Sequence, residues 1–214
     1  MALRLFWVRH GPVLGRKPGV IYGSEDVGIE VPVPEAPQAL ARYLPADADW
    51  LISPMRRTLL TAEAILAHAD HRPELKVVPE IAEQYFGTYK GLTNDEALAL
   101  AGGVRDNHHW PIPLDHCPPE GESYQDVHVR VGRILDRWAS EHSDRNIVAV
   151  AHGGPIKSAL AHVLEVPLGA VTRILIDNFS VTRMHRLPDG HWRVEGVNLL
   201  PWNADGYPPP GSPR

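Results

Sequence analysis

Residues 3–11 of this chain read Leu-Arg-Leu-Phe-Trp-Val-Arg-His-Gly, an apolar run that ends in a cation, an imidazole and a glycine. The run is short and a Gly-Pro pair ends it, so it predicts a buried β-strand rather than a helix. Residues 146–151 predict a second buried strand, which is also followed by His-Gly, at His152. Open α/β sheets bind ligands beyond the carboxyl ends of their strands, so two such endings indicate a site there. Taken alone, an Arg-His pair at a strand end is more often the start of a solvated loop than a site.

A second informative stretch surrounds two adjacent arginines. Ser53 suits an N-cap and Pro54 the first helical position, which predicts a helix from Pro54 to about His68. Arg56 and Arg57 then lie in the first turn, where the helix dipole favours acidic side chains. The pair therefore indicates a bound anion, although two exposed arginines are tolerated at small cost.

The remaining pattern alternates helices with short strands, as an α/β domain does. A Pro-Asp-Gly turn at 188–190 predicts a hairpin, and the proline-rich end after Trp202 is expected to be loose. We predict helices over residues 35–44, 94–101, 123–142 and from Gly153 to about Leu164, and strands over residues 50–53, 75–78, 173–176, 181–187 and 192–197.

Two loops carry candidate site residues. Residues 13–37 form a long loop in which Arg16 and Lys17 are placed to fold back toward His10, unless they are solvated surface charges. Glu83 follows a short strand among apolar and aromatic neighbours, which would favour its protonated form if it is buried. A surface glutamate is the alternative.

Residues 90–120 are irregular and rich in proline, so we interpret them as an insertion that covers something. His108 and His109 are adjacent, which is not the helical spacing that places two metal ligands on one face. No cluster of cysteines or carboxylates supports them. We therefore predict no metal site and no cofactor.

A chain of 214 residues suits one domain, here residues 1–214 with 90–120 as its covering segment. The formal charge of −5 argues against nucleic acid as a partner. The single Cys117 predicts a free thiol. Neither a secretory leader nor an apolar stretch of about 20 residues is visible, so we expect a cytoplasmic protein without a membrane partner.

Together these residues suit a phosphoryl group. Arginines bind its oxygens through charged hydrogen bonds, and Gly153 lets the backbone approach a ligand at a helix start. A neutral imidazole can attack phosphorus and divide a slow hydrolysis into two steps. A carboxylic acid such as Glu83 can protonate the leaving alkoxide.

Five stretches of the chain form an ordered set of motifs. They are Val8-Arg9-His10-Gly11, Ser53 to Thr58 with Thr61-Ala62, Glu83 with Phe86-Gly87, Gly121-Glu122-Ser123, and Ala151 to Gly154. In this order they resemble the motifs of the histidine phosphatase superfamily, which has the phosphoglycerate-mutase-like fold. The resemblance implies a three-layer α/β/α sandwich with a mostly parallel central sheet. It further implies that His10 is the phosphorylated nucleophile, that Arg9, Arg57 and His152 complete the phosphate pocket, and that Glu83 is the proton donor.

The departures from the family pattern bear on the reaction. An Asn that often contacts phosphate is replaced by Arg16, and whether Arg16 takes over its role is left open. Phosphoglycerate mutases usually carry an arginine after the acid and more in the insertion, whereas this chain has Gln84 and only Arg105. The pattern is similar to the branch of α-ribazole and broad small-molecule phosphatases.

Three functions are therefore weighed. We prefer a metal-independent phosphomonoesterase that acts on a small-molecule phosphate monoester, as a monomer or homodimer. The alternatives are a cofactor-dependent phosphoglycerate mutase and a catalytically silent module that binds a phosphorylated ligand. The complete set of nucleophile and acid argues against the silent module, since a binding protein needs neither.

Overall fold

The computed structural model describes residues 3–22, 28–104, 109–141 and 144–203. Over these residues the chain forms one six-stranded sheet and six α-helices. The strands are β1 (Leu3–Arg9), β2 (Asp49–Ile52), β3 (Leu75–Val77), β4 (Asn146–Ala151), β5 (Val181–Arg186) and β6 (Trp192–Leu199). The helices are α1 (Glu35–Tyr43), α2 (Arg56–Leu66), α3 (Asn94–Leu100), α4 (Tyr124–Glu141), α5 (Gly153–Leu164) and α6 (Leu168–Val171), with 3₁₀ turns at Pro79–Ile81 and Gly87–Tyr89.

The strand order in the sheet is β3-β2-β4-β1-β5-β6. Strands β3, β2, β4 and β1 are parallel, while β5 and β6 run antiparallel at one side. The parallel part explains the burial of β4, because parallel strands are covered on both faces and therefore consist of continuous apolar runs.

Helices cover both faces of the sheet. Along β1, Leu5 and Trp7 pack with α4 and α5, whereas Phe6 and Val8 pack with α1 and α2 on the opposite face. This alternation follows from the two-residue period of a strand. The expected three-layer α/β/α fold with a mostly parallel sheet is confirmed.

The prediction of a strand over residues 173–176 is wrong. This segment follows α6 as turns, in which the Ile174 N–H donates to the Val171 carbonyl at 3.0 Å. Its apolar residues reach the core from a turn, with Ile176 buried. A short apolar run does not distinguish a strand from a buried turn, and the tertiary contacts decided between them.

Smaller differences concern the ends of elements. Helix α2 begins at Arg56 rather than Pro54, with Met55 as N-cap, and both arginines stay in its first turn. The end predicted for the helix at His142 and the proline-rich tail lie outside the described residues. In the part of the chain that the structure describes, no helix is both long and apolar enough to cross a membrane.

Candidate active site

The strand register aligns the carboxyl ends of three parallel strands, β1, β4 and β2. Arg9 at the end of β1 pairs with Ala151 at the end of β4, and Ile52 of β2 pairs with Val150. The next residues are His10, His152 and Ser53, which therefore meet at one edge of the sheet. The ring centroids of the two histidines lie 5.0 Å apart.

His10 is held as one tautomer. Its Nδ1 lies 2.6 Å from the Gly11 carbonyl oxygen, and because a carbonyl only accepts, Nδ1 carries the hydrogen. The Nε2 atom then keeps its lone pair. Burial, and after it the charges of Arg57 and Arg9, hold the pKa of His10 well below its usual value. The imidazole is therefore neutral and nucleophilic near pH 7.

His152 is fixed through both ring nitrogens. Arg57 donates its Nε–H to Nδ1 at 3.2 Å, so Nε2 carries the hydrogen and donates to the Ser53 hydroxyl at 2.6 Å. Burial, followed by the charge of Arg57, also keeps the pKa of His152 well below its usual value. His152 is thereby a neutral partner that orients the Arg57 guanidinium.

Arg9 brings a second, half-buried cation to this edge. Its Nη1 donates to the Ile176 carbonyl, whereas its buried Nε has no hydrogen-bond partner among the described residues. Burial, followed by the charge of Arg16, lowers the pKa of Arg9 to about 10, so it stays cationic near pH 7. A Cβ on Gly153 would lie 3.8 Å from the Nε, so the strand end and the start of α5 lie close together.

A cavity of about 190 Å³ opens over these residues. Arg9, His10, Arg57 and Glu83 all contribute to its wall. Arg16 reaches it from the long loop, as expected, while Lys17 does not belong to the described lining. The remaining described wall consists mainly of apolar and aromatic side chains: Val13, Val20, Ile21, Tyr22, Phe86, Trp110 and Pro111, with Asn94 and Asn178.

Glu83 lies at the cavity but is half-buried rather than enclosed by apolar groups. Its Oε2 accepts the Gly154 N–H at 3.3 Å, and its Oε1 accepts the Gln84 N–H at 3.1 Å. A Cβ on Gly154 would collide with Oε1 and lie 3.3 Å from the Trp110 ring. The position of the Glu83 carboxylate therefore requires a glycine at residue 154.

Part of the covering segment packs beside the acid. Trp110 stacks on Tyr124 with ring centroids 3.9 Å apart, and its indole N–H donates to the Gln84 Oε1 at 3.0 Å. The Gln84 amide also donates to the Glu122 carbonyl at 2.9 Å. Gln84 is thus a buried structural link rather than a group that faces a ligand. Two residues of this segment considered above, Arg105 and His108, lie outside the described residues.

Sequence reasoning missed two residues that support the His10 backbone. Thr61 accepts the Gly11 N–H at 2.8 Å and donates to the Arg57 carbonyl at 2.6 Å, which ties the residue after His10 to the first turn of α2. Asn178 donates to the His10 carbonyl at 2.7 Å. Thr61 belongs to a recognised motif stretch, whereas Asn178 follows a segment whose structure was mispredicted.

Among the described residues, no group of three or more His, Cys, Asp or Glu side chains is placed to hold a metal ion. His109 is exposed, and Cys117 is an exposed free thiol. Metal-independent catalysis stays a prediction, which chelation tests directly.

The fold and the residues at its edge define an α/β protein of the phosphoglycerate-mutase-like kind. The model of the histidine phosphatase superfamily (branch 1) matches residues 5–200, and the chain belongs to that superfamily. The expected resemblance is therefore confirmed.

Individual relatives agree with this placement. A bifunctional protein of Mycobacterium tuberculosis is 32% identical to this chain over 68% of its residues. The matched region spans only 39% of the length of that relative. The adenosylcobalamin/α-ribazole phosphatase of Salmonella typhimurium is 26% identical, over 82% of this chain and 86% of its own. The solved structure of a mycobacterial glucosyl-3-phosphoglycerate phosphatase superposes with a TM-score of 0.75 at 23% identity, covering 92% of this chain and 99% of that one, which shows the common fold.

Proposed function

We propose that this protein is a phosphomonoesterase that hydrolyses a small phosphorylated metabolite through a phosphohistidine at His10. The observation that carries the proposal is the neutral His10 ring, whose Nε2 lone pair lies in a pocket with the cations Arg9 and Arg57. The name of the Salmonella relative, a phosphatase that acts on a small metabolite, supports the same reaction class.

In the first step, Nε2 of His10 attacks phosphorus, and the bond from phosphorus to the ester oxygen breaks. Arg9 and Arg57 bind the phosphoryl oxygens and offset their charge in the transition state. Arg16 lines the same cavity. Gly153 lies beside Arg9, since a Cβ at this position would be 3.8 Å from the Arg9 Nε. Glu83 donates its proton to the departing oxygen, which leaves as a neutral alcohol.

In the second step, water attacks the phosphohistidine. Glu83, now ionised, accepts a proton from that water, and the phosphorus–nitrogen bond breaks. Inorganic phosphate leaves and His10 regains its lone pair. Throughout both steps His152 orients Arg57 from behind, since its two ring nitrogens are bound to Arg57 and Ser53.

The mutase alternative lacks support from the described residues. Its carboxylate-binding arginine would follow the acid, where this chain has Gln84, whose amide is bound at both ends by Trp110 and Glu122. A single domain over residues 1–214, a lid over residues 90–120, a cytoplasmic location and a monomeric or dimeric state stay predictions of the sequence.

The test is to trap the intermediate. Phosphate release from a panel of phosphorylated metabolites identifies a substrate, and that substrate, labelled in its phosphoryl group, is quenched rapidly without acid. We expect acid-labile label on the wild-type protein and none on His10→Ala. The variant His68→Asn, at an exposed histidine, serves as the control and should be labelled normally. Near wild-type turnover by His10→Ala would refute the mechanism.

A further inference from the structure

The acid Glu83 lies on a segment without regular secondary structure, residues 82–86. A general acid works only when it is held within hydrogen-bond reach of the departing oxygen. Something outside this segment must therefore fix its position. The structure places one guanidinium, that of Arg130 on α4, at the centre of its attachments.

The Arg130 side chain binds backbone carbonyls of the Glu83 segment and of the 3₁₀ turn that precedes it. Its Nη1 donates to the Glu80 carbonyl at 2.5 Å, and its Nη2 donates to the Ala82 carbonyl at 2.7 Å and to the Glu83 carbonyl at 3.3 Å. Three carbonyls over four residues are thus tied to one side chain of a helix that is itself packed on the sheet.

The same guanidinium is held from the other side by Glu122. Arg130 Nε lies 3.0 Å from Oε2 and Nη2 lies 2.8 Å from Oε1, a bidentate pair in which only about a fifth to a quarter of each side chain is exposed. Glu122 in turn accepts the Tyr85 N–H through Oε1, and its own N–H donates to the Tyr85 carbonyl. Planar bidentate bonds of this kind fix orientation as well as distance.

We propose that Arg130 is a positioning residue for the proton donor, acting as a clamp that holds the Glu83 segment and Glu122 against α4. The inference rests on the proposed role of Glu83 as acid. It goes further in assigning a second residue to the step in which the leaving group is protonated. Arg130 is distant from the acid in sequence and bonds the backbone of that segment rather than the Glu83 carboxylate.

The test varies the leaving group of the substrate. A defect in protonating the leaving group is thereby distinguished from a general loss of active-site structure. Single-turnover phosphorylation is measured with an alkyl phosphate, whose alkoxide needs a proton, and with a nitrophenyl phosphate, whose leaving group needs it much less. Displacement of a reacting group by about 1 Å can cost about 10²-fold in rate. We therefore expect Arg130→Met to lose up to about 10²-fold on the alkyl ester and clearly less on the aryl ester. Arg130→Lys, which keeps the charge but not the fork, should lie in between.

A matched control exists on the same helix. Arg137 pairs with the Glu80 carboxylate at 3.1 Å, so it reaches the same segment through a side chain and at an exposed site. Arg137→Met should leave the ratio of alkyl to aryl rates unchanged. If Arg130→Met does not fold, Glu122→Gln weakens the same pair while keeping its shape, and the same selective loss is expected from it.

Glu83→Gln is measured alongside to distinguish the two proposals. An alkyl-selective loss in Glu83→Gln without one in Arg130→Met overturns the clamp and leaves the acid in place. Equal losses on both esters in Glu83→Gln overturn the acid, and the clamp with it. Adding Arg130→Met to Glu83→Gln should produce no further selective loss, because the group being positioned is already gone.

Discussion

Two buried neutral histidines make the stability of this protein depend on pH. His10 is 7% exposed and His152 is 0% exposed, and the pKa of each is well below 6.5 in the folded state. In the unfolded chain both titrate near about 6.5 and so bind more protons. Their contribution is therefore fully present above that value and is lost as the pH falls toward the folded pKa.

The magnitude follows from this difference. A histidine that stays neutral when folded and titrates at about 6.5 when unfolded costs about 1.4 kcal/mol between about pH 7.5 and about pH 5.5. Two such groups lower the free energy of unfolding by about 2.7 kcal/mol over that range. This is a large fraction of the roughly 5–15 kcal/mol that stabilises a typical domain.

The assay is urea unfolding at a series of pH values in a buffer without phosphate, since phosphate would bind the proposed pocket. His10→Asn should show a change smaller than that of the wild type by up to about 1.4 kcal/mol, because one titrating group is removed. His68→Asn, at an exposed position, should show the full change. An equal pH dependence in the wild type and in His10→Asn would refute the assignment of a strongly lowered pKa to His10.

Three further predictions concern catalysis. Glu83→Gln should slow single-turnover phosphorylation by alkyl phosphates about 10²–10⁴-fold and that by a nitrophenyl phosphate less; equal losses would remove Glu83 as the acid. In the proposed mechanism Arg57 binds the phosphoryl oxygens, so Arg57→Ala should cost about 3 kcal/mol with either ester. It should also move the acid limb of the kcat/KM profile to higher pH, because burial and then the charge of Arg57 lower the pKa of His10, and the variant removes that charge. A loss confined to one ester, measured by the same kinetics, would contradict that role. Prolonged chelation should leave turnover unchanged, whereas a loss restored by one divalent ion would indicate a metal enzyme.

Sequence reasoning succeeded where a feature of the structure depends on residues that are close together in the chain. The strand that ends at Arg9 and the one that ends at Ala151 are readable as short apolar runs with a glycine-rich stop. Because parallel strands share an edge, their following histidines were expected at that edge. The pairing of β1 with β4 then makes them neighbours. The two arginines at the start of α2 stood out because the helix dipole disfavours cations there. The family and its three-layer fold followed from the order of such stretches.

The hydrogen-bond roles needed the tertiary structure. The tautomers of His10 and His152 depend on which atoms face each ring nitrogen, and the partners of His152 are 95 and 99 residues away in sequence. Gln84 occupies the position at which phosphoglycerate mutases usually carry an arginine. Packing buries its side chain as a link between Trp110 and Glu122, which the sequence did not indicate.

By itself the sequence determined the fold class, the edge at which the site lies and the charged side chains that line its cavity, together with His10. Only the tertiary structure decided that Gly154 receives Glu83, that residues 173–176 turn, and that Arg130 bonds the Glu83 segment from 47 to 50 residues away. Periodicity and capping are properties of neighbouring residues, so they specify elements and their ends. A contact between distant segments is specified by how the elements pack, and no local pattern encodes it.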